Sequence, residues 1–264
     1  MGGLRMRAGR CRPDIDRGGQ PPPAASAAIV DLQAGDQSEV LLRLAQDFTS
    51  EAARAIAGRG FFAVALPGGS VATNGFPALA ALPLNWSQVQ YFWVDERAVP
   101  PSDPESNYAL AQKLWLAPAG VPAASIHRMP ADLPDLGAAA ITYSDVLTRA
   151  LGSPARLDFV LLGVGPDGHV ASLFPRHRVL ALEDRLVAAV DDAPKPPPRR
   201  LTLTLPMLAG AERVVVVAFG EEKAEALREA LERHDSPQPL ARLLRRTKRP
   251  LVLADRAAAS LLTA

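Results

Sequence analysis

The chain has 264 residues, 48% of them hydrophobic, and a formal net charge of +1 at pH 7. This length suits one α/β domain with a large core, and the balanced charge gives no general reason to expect nucleic acid or a membrane as a partner. Cys11 is the single cysteine, which excludes an internal disulfide and a cysteine-based zinc site, so we expect a reducing, cytoplasmic location. No apolar run approaches the roughly 20 residues of a membrane span.

The first 26 residues are rich in glycine, proline and arginine. We expect them to form a disordered extension ahead of a single domain over residues 27–264. Their arginines precede no apolar segment, which argues against a secretory signal. A basic tail that touches nucleic acid is the weaker alternative, because aspartates at positions 14 and 16 dilute the charge.

Short apolar segments alternate with helical patterns along the rest of the chain. Strands are predicted at 28–32, 61–66, 89–94, 126–129, 157–162, 186–190, 201–205, 213–219 and 251–254. The strand at 201–205 alternates Leu and Thr, which predicts a half-exposed strand. Helices are predicted at 36–57 (capped by Asp36 and stopped by Gly58), 71–82, 106–116, 135–151 and 220–231, with a short one at the C-terminus. This order predicts a Rossmann-like α/β fold, a mainly parallel sheet with helices on both faces.

The strand at 61–66 runs into Gly68-Gly69-Ser70 and then a helix. Free N–H groups at a helix start bind anions, and the Ser70 hydroxyl would add another donor. A plain turn between strand and helix explains the same residues equally well.

Three charged residues, Asp95, Glu96 and Arg97, follow the aromatic strand at 89–94. Charged groups are rarely placed at such a position unless they are paired or used. The planar fork of Arg97 could clamp a phosphate. The alternative is an ion-paired strand exit.

The strand at 157–162 is followed by the sequence GVGPDGH, which ends at His169. Ligands of open α/β sheets bind at the carboxyl ends of the strands, and histidine is the side chain suited to proton transfer near neutral pH. Asp167 could orient the imidazole, or it could cap the local backbone. A tight turn with a surface histidine is the simpler alternative, and we interpret His177 as a surface residue.

Two further stretches place cations at strand ends. A proline-rich loop at 191–200 carries Lys195, Arg199 and Arg200, and its prolines would lower the entropy cost of presenting a cation. The alternative is an exposed basic loop that binds no ligand, which is the commoner role of such loops. Lys223 lies in the first turn of the helix after 213–219, where the helix dipole disfavours a cation unless an anion is near.

Motifs for nucleotides and metals are missing. The sequence holds no GxGxxG or GxxxxGK[ST] loop and no HExxH pattern. Nucleotide binding therefore has no support from motifs, and we expect no metal.

Four segments taken together resemble the 6-phosphogluconolactonase family: the Gly68-Gly69-Ser70 turn, VDERAVPPSDPESNY (94–108), LDFVLLGVGPDGHVASLFP (157–175), and APKPPPRRLTLTLP (193–206) with GEEKAEAL (220–227). The resemblance implies hydrolysis of 6-phospho-D-glucono-1,5-lactone to 6-phospho-D-gluconate, a step of the pentose phosphate pathway, without a cofactor. It implies that His169 is the general base that draws a proton from water. We expect Asp167 to lie beside His169 as its catalytic partner. We expect the phosphate to be held by Arg97, Arg200 and Lys223, together with Gly68, Gly69 and Ser70.

Two rival functions stay open. The related glucosamine-6-phosphate deaminases share the DGH turn, but they usually continue with Ala-Phe-Asn-Glu-Pro and carry Asp-Glu-Tyr at the earlier strand end. Here the residues are ASLFP (171–175) and Asp95-Glu96-Arg97, which side with the lactonases. The second rival is a non-catalytic sugar-phosphate-binding protein. We expect a monomer or a small homo-oligomer.

Overall fold

The computed structural model describes residues 30–263, so the predicted extension, residues 1–26, lies outside them. The strands are β1 (Asp31–Gly35), β2 (Phe62–Leu66), β3 (Val89–Trp93), β4 (Asp95–Arg97), β5 (Phe159–Gly163), β6 (Val187–Val190), β7 (Arg200–Leu203), β8 (Arg213–Ala218) and β9 (Pro250–Asp255). The α-helices are α1 (Gln37–Arg59), α2 (Gly69–Ala80), α3 (Asn107–Ala111), α4 (Leu136–Leu151), α5 (Leu205–Ala209), α6 (Ala224–Glu232) and α7 (Pro239–Arg246).

The main sheet has six parallel strands in the order β1-β9-β8-β5-β2-β3. Its inner strands contain continuous apolar runs, FAVAL in β2 and VVVVA (214–218) in β8, and both strands are buried along their whole length. Such runs form strands that are covered on both faces. A second sheet of three antiparallel strands, β4-β7-β6, lies beside it. The predicted Rossmann-like α/β fold is thereby confirmed.

Several predicted boundaries were wrong. The first strand covers Asp31–Gly35 instead of 28–32, and residues 28 and 29 lie outside the described part. Helix α1 continues through Gly58 and ends at Arg59, and the next residue, Gly60, takes a φ of 85° and donates its N–H to the carbonyl of Ile56. The segment at 126–129 makes one bridge, Ile126 to Tyr91, and no strand. Residues 256–260 form turns, so within the described chain no helix follows β9.

The strand predicted at 201–205 is buried, although it alternates Leu and Thr. As β7 it is the middle strand of the three-stranded sheet, and Thr202 and Thr204 are fully buried. Their hydroxyls are satisfied inside the protein: Thr202 donates to the carbonyl of Leu203 and Thr204 to that of Arg185. A satisfied hydroxyl removes most of the cost of burial, so alternation did not indicate exposure here. Helices α5 and α7 were not predicted.

The order of the strands creates a place for a ligand. From β2 the chain adds β3 on one side, whereas β5 lies on the other side of β2 and leads on to β8 and β9. The loops that follow β2 and β5 therefore separate and leave a crevice at the carboxyl ends of these strands. No helix among residues 30–263 is both long and apolar enough to cross a membrane.

Candidate active site

A cleft of about 210 Å³ opens at the carboxyl ends of β2, β3, β5 and β8. Seven of the eight predicted site residues line it: Gly68, Gly69, Ser70, Arg97, His169, Arg200 and Lys223. The eighth, Asp167, lies beside the cleft and contacts His169. Residues from four separate strand ends thus converge, as parallel strands require.

His169 and Asp167 form a pair. The Nδ1 atom of His169 lies 2.5 Å from Oδ1 of Asp167, and Lys195 Nζ lies 3.4 Å from the same oxygen. Burial would raise the pKa of Asp167, but the hydrogen bond with His169 and the positive charge of Lys195 outweigh it and hold this pKa well below its ordinary range. An ionised carboxylate only accepts hydrogen bonds, so it fixes the imidazole proton on Nδ1. The lone pair of Nε2, which bonds no residue between 30 and 263, is left for a substrate or water.

Glycine is required at two positions of this turn. A Cβ on Gly165 would lie 2.0 Å from Nδ1 and Cε1 of His169, so only glycine leaves room for the ring. Gly168 has a φ of 75°, and a Cβ there would meet Gln238 at 1.9 Å. The carbonyl of Gly168 also accepts from the N–H of Leu240, at the start of α7. The turn that carries His169 is thereby held from behind by the segment that leads into α7.

Asp95 and Glu96 are both buried and serve different contacts. Glu96 accepts from the N–H groups of Arg97, Asn107 and Tyr108 and from the hydroxyl of Ser106, and so caps the start of α3. Asp95 Oδ2 accepts from the Ser172 hydroxyl at 2.6 Å. Ser172 is fully buried, and its hydroxyl is taken up by this contact with the Asp95 carboxylate.

Arg97 lines the cleft, and its guanidinium donates to the carbonyl of Glu105 at 2.7 Å. Its Nε atom is buried and has no hydrogen-bond partner among the described residues. A buried donor without a partner is costly unless a ligand satisfies it. The Nε–H group of Arg97 is therefore a donor that a ligand bound in the cleft could satisfy.

The Gly68–Ser70 turn starts helix α2. A Cβ on Gly68 would lie 1.8 Å from Oδ1 of Asn107, whose amide donates to the carbonyl of Asp95. Gly69 has a φ of 65°, and no side chain caps the helix. The first N–H groups of α2 are therefore open toward the cleft, where an anion could accept from them.

The proline-rich loop is fixed by Arg200. The buried guanidinium donates from Nε to the carbonyl of Pro197 and from Nη2 to those of Lys195 and Pro196, at 2.9 to 3.1 Å. Its Nη1 lies 3.5 Å from the Ser172 hydroxyl. Burial lowers the pKa of Arg200, and the nearby charge of Asp95 opposes that shift.

Lys195 was not among the predicted site residues, yet it lines the cleft. The sequence feature that could have identified Lys195 is the run of prolines after it, because these prolines fix the path of the loop. Lys223 precedes α6 directly, at the end of a 3₁₀ turn over Glu221–Lys223, and its Nζ lies 3.5 Å from Oε1 of Glu222. Among the described residues no group of three or more His, Cys, Asp or Glu side chains is placed to hold a metal ion.

The sequence and the fold of this chain are similar to those of known proteins. Residues 35–252 match the sequence profile of the family described as "Glucosamine-6-phosphate isomerases/6-phosphogluconolactonase". The chain is 41% identical to a 6-phosphogluconolactonase of Mycobacterium tuberculosis over 186 residues, which cover 67% of this chain and 75% of that protein. It is 39% identical to the human 6-phosphogluconolactonase over 249 residues, 91% of this chain and 96% of the relative.

A crystal structure of 6-phosphogluconolactonase from Thermotoga maritima superposes with a TM-score of 0.77 at 25% identity, over 86% of this chain and all of that one. The profile match covers well over half of the chain, and the human relative matches along nearly its whole length. The chain therefore belongs to the glucosamine-6-phosphate isomerase/6-phosphogluconolactonase family.

Proposed function

We propose that this protein is an enzyme that hydrolyses 6-phospho-D-glucono-1,5-lactone to 6-phospho-D-gluconate. The observation that carries the proposal is the His169–Asp167 pair, whose free Nε2 lies in a cleft with four cationic side chains, Arg97, Lys195, Arg200 and Lys223. Relatives that are about 40% identical over the aligned residues bear the name of this activity. The substrate combines an activated ester with a phosphate, so it needs both a base and cations.

The residues suggest direct attack by water. His169 Nε2 takes a proton from a water molecule while the water oxygen bonds to the lactone carbonyl carbon. The resulting oxyanion collapses, the bond between that carbon and the ring oxygen breaks, and the imidazolium returns its proton to the ring oxygen. Asp167 keeps the imidazole oriented and stabilises its cationic form. If this route is right, protein trapped during turnover carries no acyl adduct by intact mass.

We propose that the phosphate lies where donors are available, at the Gly68–Ser70 turn with Arg97 and Lys223. The open N–H groups of α2 and the buried Nε of Arg97 suit a phosphate dianion. Arg200, which the sequence placed in the same group, already donates to three carbonyls and faces a serine hydroxyl. We therefore propose that Arg200 holds the loop in place and that the phosphate is bound by Arg97, Lys223 and the Gly68–Ser70 turn.

The test compares fresh 6-phosphogluconolactone with unphosphorylated gluconolactone, for the wild type and for His169→Ala, with spontaneous hydrolysis subtracted. We expect a strong preference for the phosphorylated lactone and its loss in the variant. A wild type no faster than background would reject the lactonase function. Activity that survives His169→Ala would keep the function and reject the base.

The deaminase alternative is tested by ammonia release from glucosamine 6-phosphate. The family profile covers both activities, whereas the relatives compared above are named as lactonases, so we expect none. Tight binding of the lactone without turnover would instead support the non-catalytic alternative. A cytoplasmic location and a monomer or small homo-oligomer stay predictions.

A further inference from the structure

We infer that Lys195 is the cation that faces the developing oxyanion of the lactone, and that Arg200 is a positioning residue that holds Lys195 there. The inference rests on the proposed lactonase function and assigns separate tasks to the cations of the cleft. Four cations line it, but a hydrolase of this substrate must neutralise charge at two ends, the carbonyl and the phosphate.

The position of Lys195 points to the carbonyl end. Its Nζ lies 3.4 Å from Oδ1 of Asp167, the same oxygen that lies 2.5 Å from Nδ1 of His169. No other lysine or arginine among residues 30–263 forms a hydrogen bond or an ion pair with Asp167. Because His169 activates the water, the attacked carbonyl must lie at this end of the cleft, within reach of the Lys195 ammonium.

The lysine side chain is also free to turn toward a substrate. It is 43% exposed, and its contact with Asp167 is a long hydrogen bond to one oxygen. A lysine is a compact charge on a flexible stem with three donors. The ammonium can keep Asp167 as one partner while another N–H meets the oxyanion.

The backbone of Lys195 is held much more firmly than its tip. Nη2 of Arg200 donates to the carbonyls of Lys195 and Pro196, and Nε donates to that of Pro197. A guanidinium has five N–H donors. With the Ser172 contact at 3.5 Å, four of them have acceptors within the protein. Arg200 thus lines the cleft, but most of its N–H groups donate to carbonyls of the loop. This role explains why a buried arginine follows the prolines in the sequence.

The remaining cations are held at other places. Arg97 donates to the carbonyl of Glu105, and Lys223 lies near the carboxylate of Glu222. Neither contacts the His169–Asp167 pair. Their charges are therefore assigned to the phosphate end of the substrate.

The two lactones separate these tasks. Lys195→Met and Lys223→Met are each assayed on 6-phosphogluconolactone and on gluconolactone, above spontaneous hydrolysis. A cation at the carbonyl acts on both substrates, so we expect Lys195→Met to lower kcat/KM by roughly 10²- to 10³-fold on both and to keep their ratio. Lys223→Met should instead lower kcat/KM on the phosphorylated lactone alone. Lys195→Arg, which keeps the charge, should recover part of kcat.

Arg199→Met is the matched control from the same loop. Arg199 bonds the carbonyl of Pro134 and lies near Asp191, away from the cleft, so its loss should leave both rates unchanged. Arg200→Met should lower kcat on both lactones. The Lys195→Met/Arg200→Met double variant should be no slower than Lys195→Met, because Arg200 acts through Lys195.

Each outcome decides something. A loss confined to the phosphorylated lactone would make Lys195 a phosphate ligand, and a Lys195→Met rate within twofold of wild type would remove it from the reaction; either result overturns the inference. Additive losses in the double variant would overturn the role of Arg200. If Arg200→Met does not fold, the Lys195 series still decides. A wild type without activity would instead reject the proposed function itself.

Discussion

Gly165→Ala should inactivate the protein without unfolding it. The added Cβ would lie 2.0 Å from two atoms of the His169 ring and 2.6 Å from Oδ1 of Asp167. Carbon atoms in contact are normally about 3.5 Å apart or more, so the ring must move by roughly 1.5 Å. A displacement of about 1 Å in a catalytic group can cost about 100-fold, so we expect kcat/KM to fall by at least about 100-fold.

Stability should change little in this variant. Gly165 is not one of the glycines with a positive φ among the described residues, so alanine fits its backbone conformation. We expect the free energy of unfolding to stay within about 1 kcal/mol of wild type. The control is Gly58→Ala, inside helix α1 with no atom within 4 Å of the new Cβ, which should keep full activity and gain about 0.5–1 kcal/mol.

The assay is 6-phosphogluconolactone hydrolysis above background, with urea unfolding of both variants. Wild-type activity in Gly165→Ala would refute the claim that the glycine makes room for the imidazole. A fall in unfolding free energy of several kcal/mol would show that the lost activity comes from a damaged fold.

Three other substitutions test the charges and buried donors. Asp167→Asn should lower kcat by roughly 10- to 10³-fold, because His169 loses the carboxylate that orients it. The lowered pKa of Asp167 also stabilises the wild-type fold at pH values above the pKa of the unfolded chain, and this contribution is lost in acid. The urea midpoint of the variant should therefore fall less between about pH 4 and pH 2 than that of the wild type. Glu96→Gln should cost about 1–3 kcal/mol in urea unfolding, because an amide nitrogen cannot accept from the donors at the start of α3, whereas Glu105→Gln on the surface should cost almost nothing; equal costs would contradict the capping role. Tyr143→Phe should cost about 1–3 kcal/mol in the same measurement, because its buried hydroxyl joins two backbone groups, and an unchanged midpoint would contradict that.

Much of the fold could be predicted because its strands are buried on both faces. The runs at 61–66, 157–162 and 213–219 hold almost nothing but apolar residues, and each became an inner strand of the main sheet. The parallel order then brought the polar residues that follow them to one edge, as predicted. The errors came where local signals compete, as at Gly58, where the helix continues past one glycine and ends just before the next one.

The use of each donor could not be predicted, because it depends on contacts between distant segments. Arg200 was predicted to bind phosphate from its place in a basic loop. Its guanidinium bonds carbonyls that lie three to five residues earlier in the same loop, and only the folded path of the prolines brings them into reach. Gln238, which packs on Gly168, comes from a segment for which no element was predicted.

The residues Asp95, Glu96 and Arg97 show how far a pattern can go when strand geometry is applied to it. The sequence left two interpretations open, a phosphate clamp and an ion-paired strand exit. In the structure the three residues form β4, and successive side chains of a strand point to opposite faces. Asp95 and Arg97 line the cleft, while Glu96 between them turns to the start of α3. Alternation alone therefore divides the three charges into two that face the cleft and one that supports the helix, and a phosphate contact of Arg97 stays a prediction.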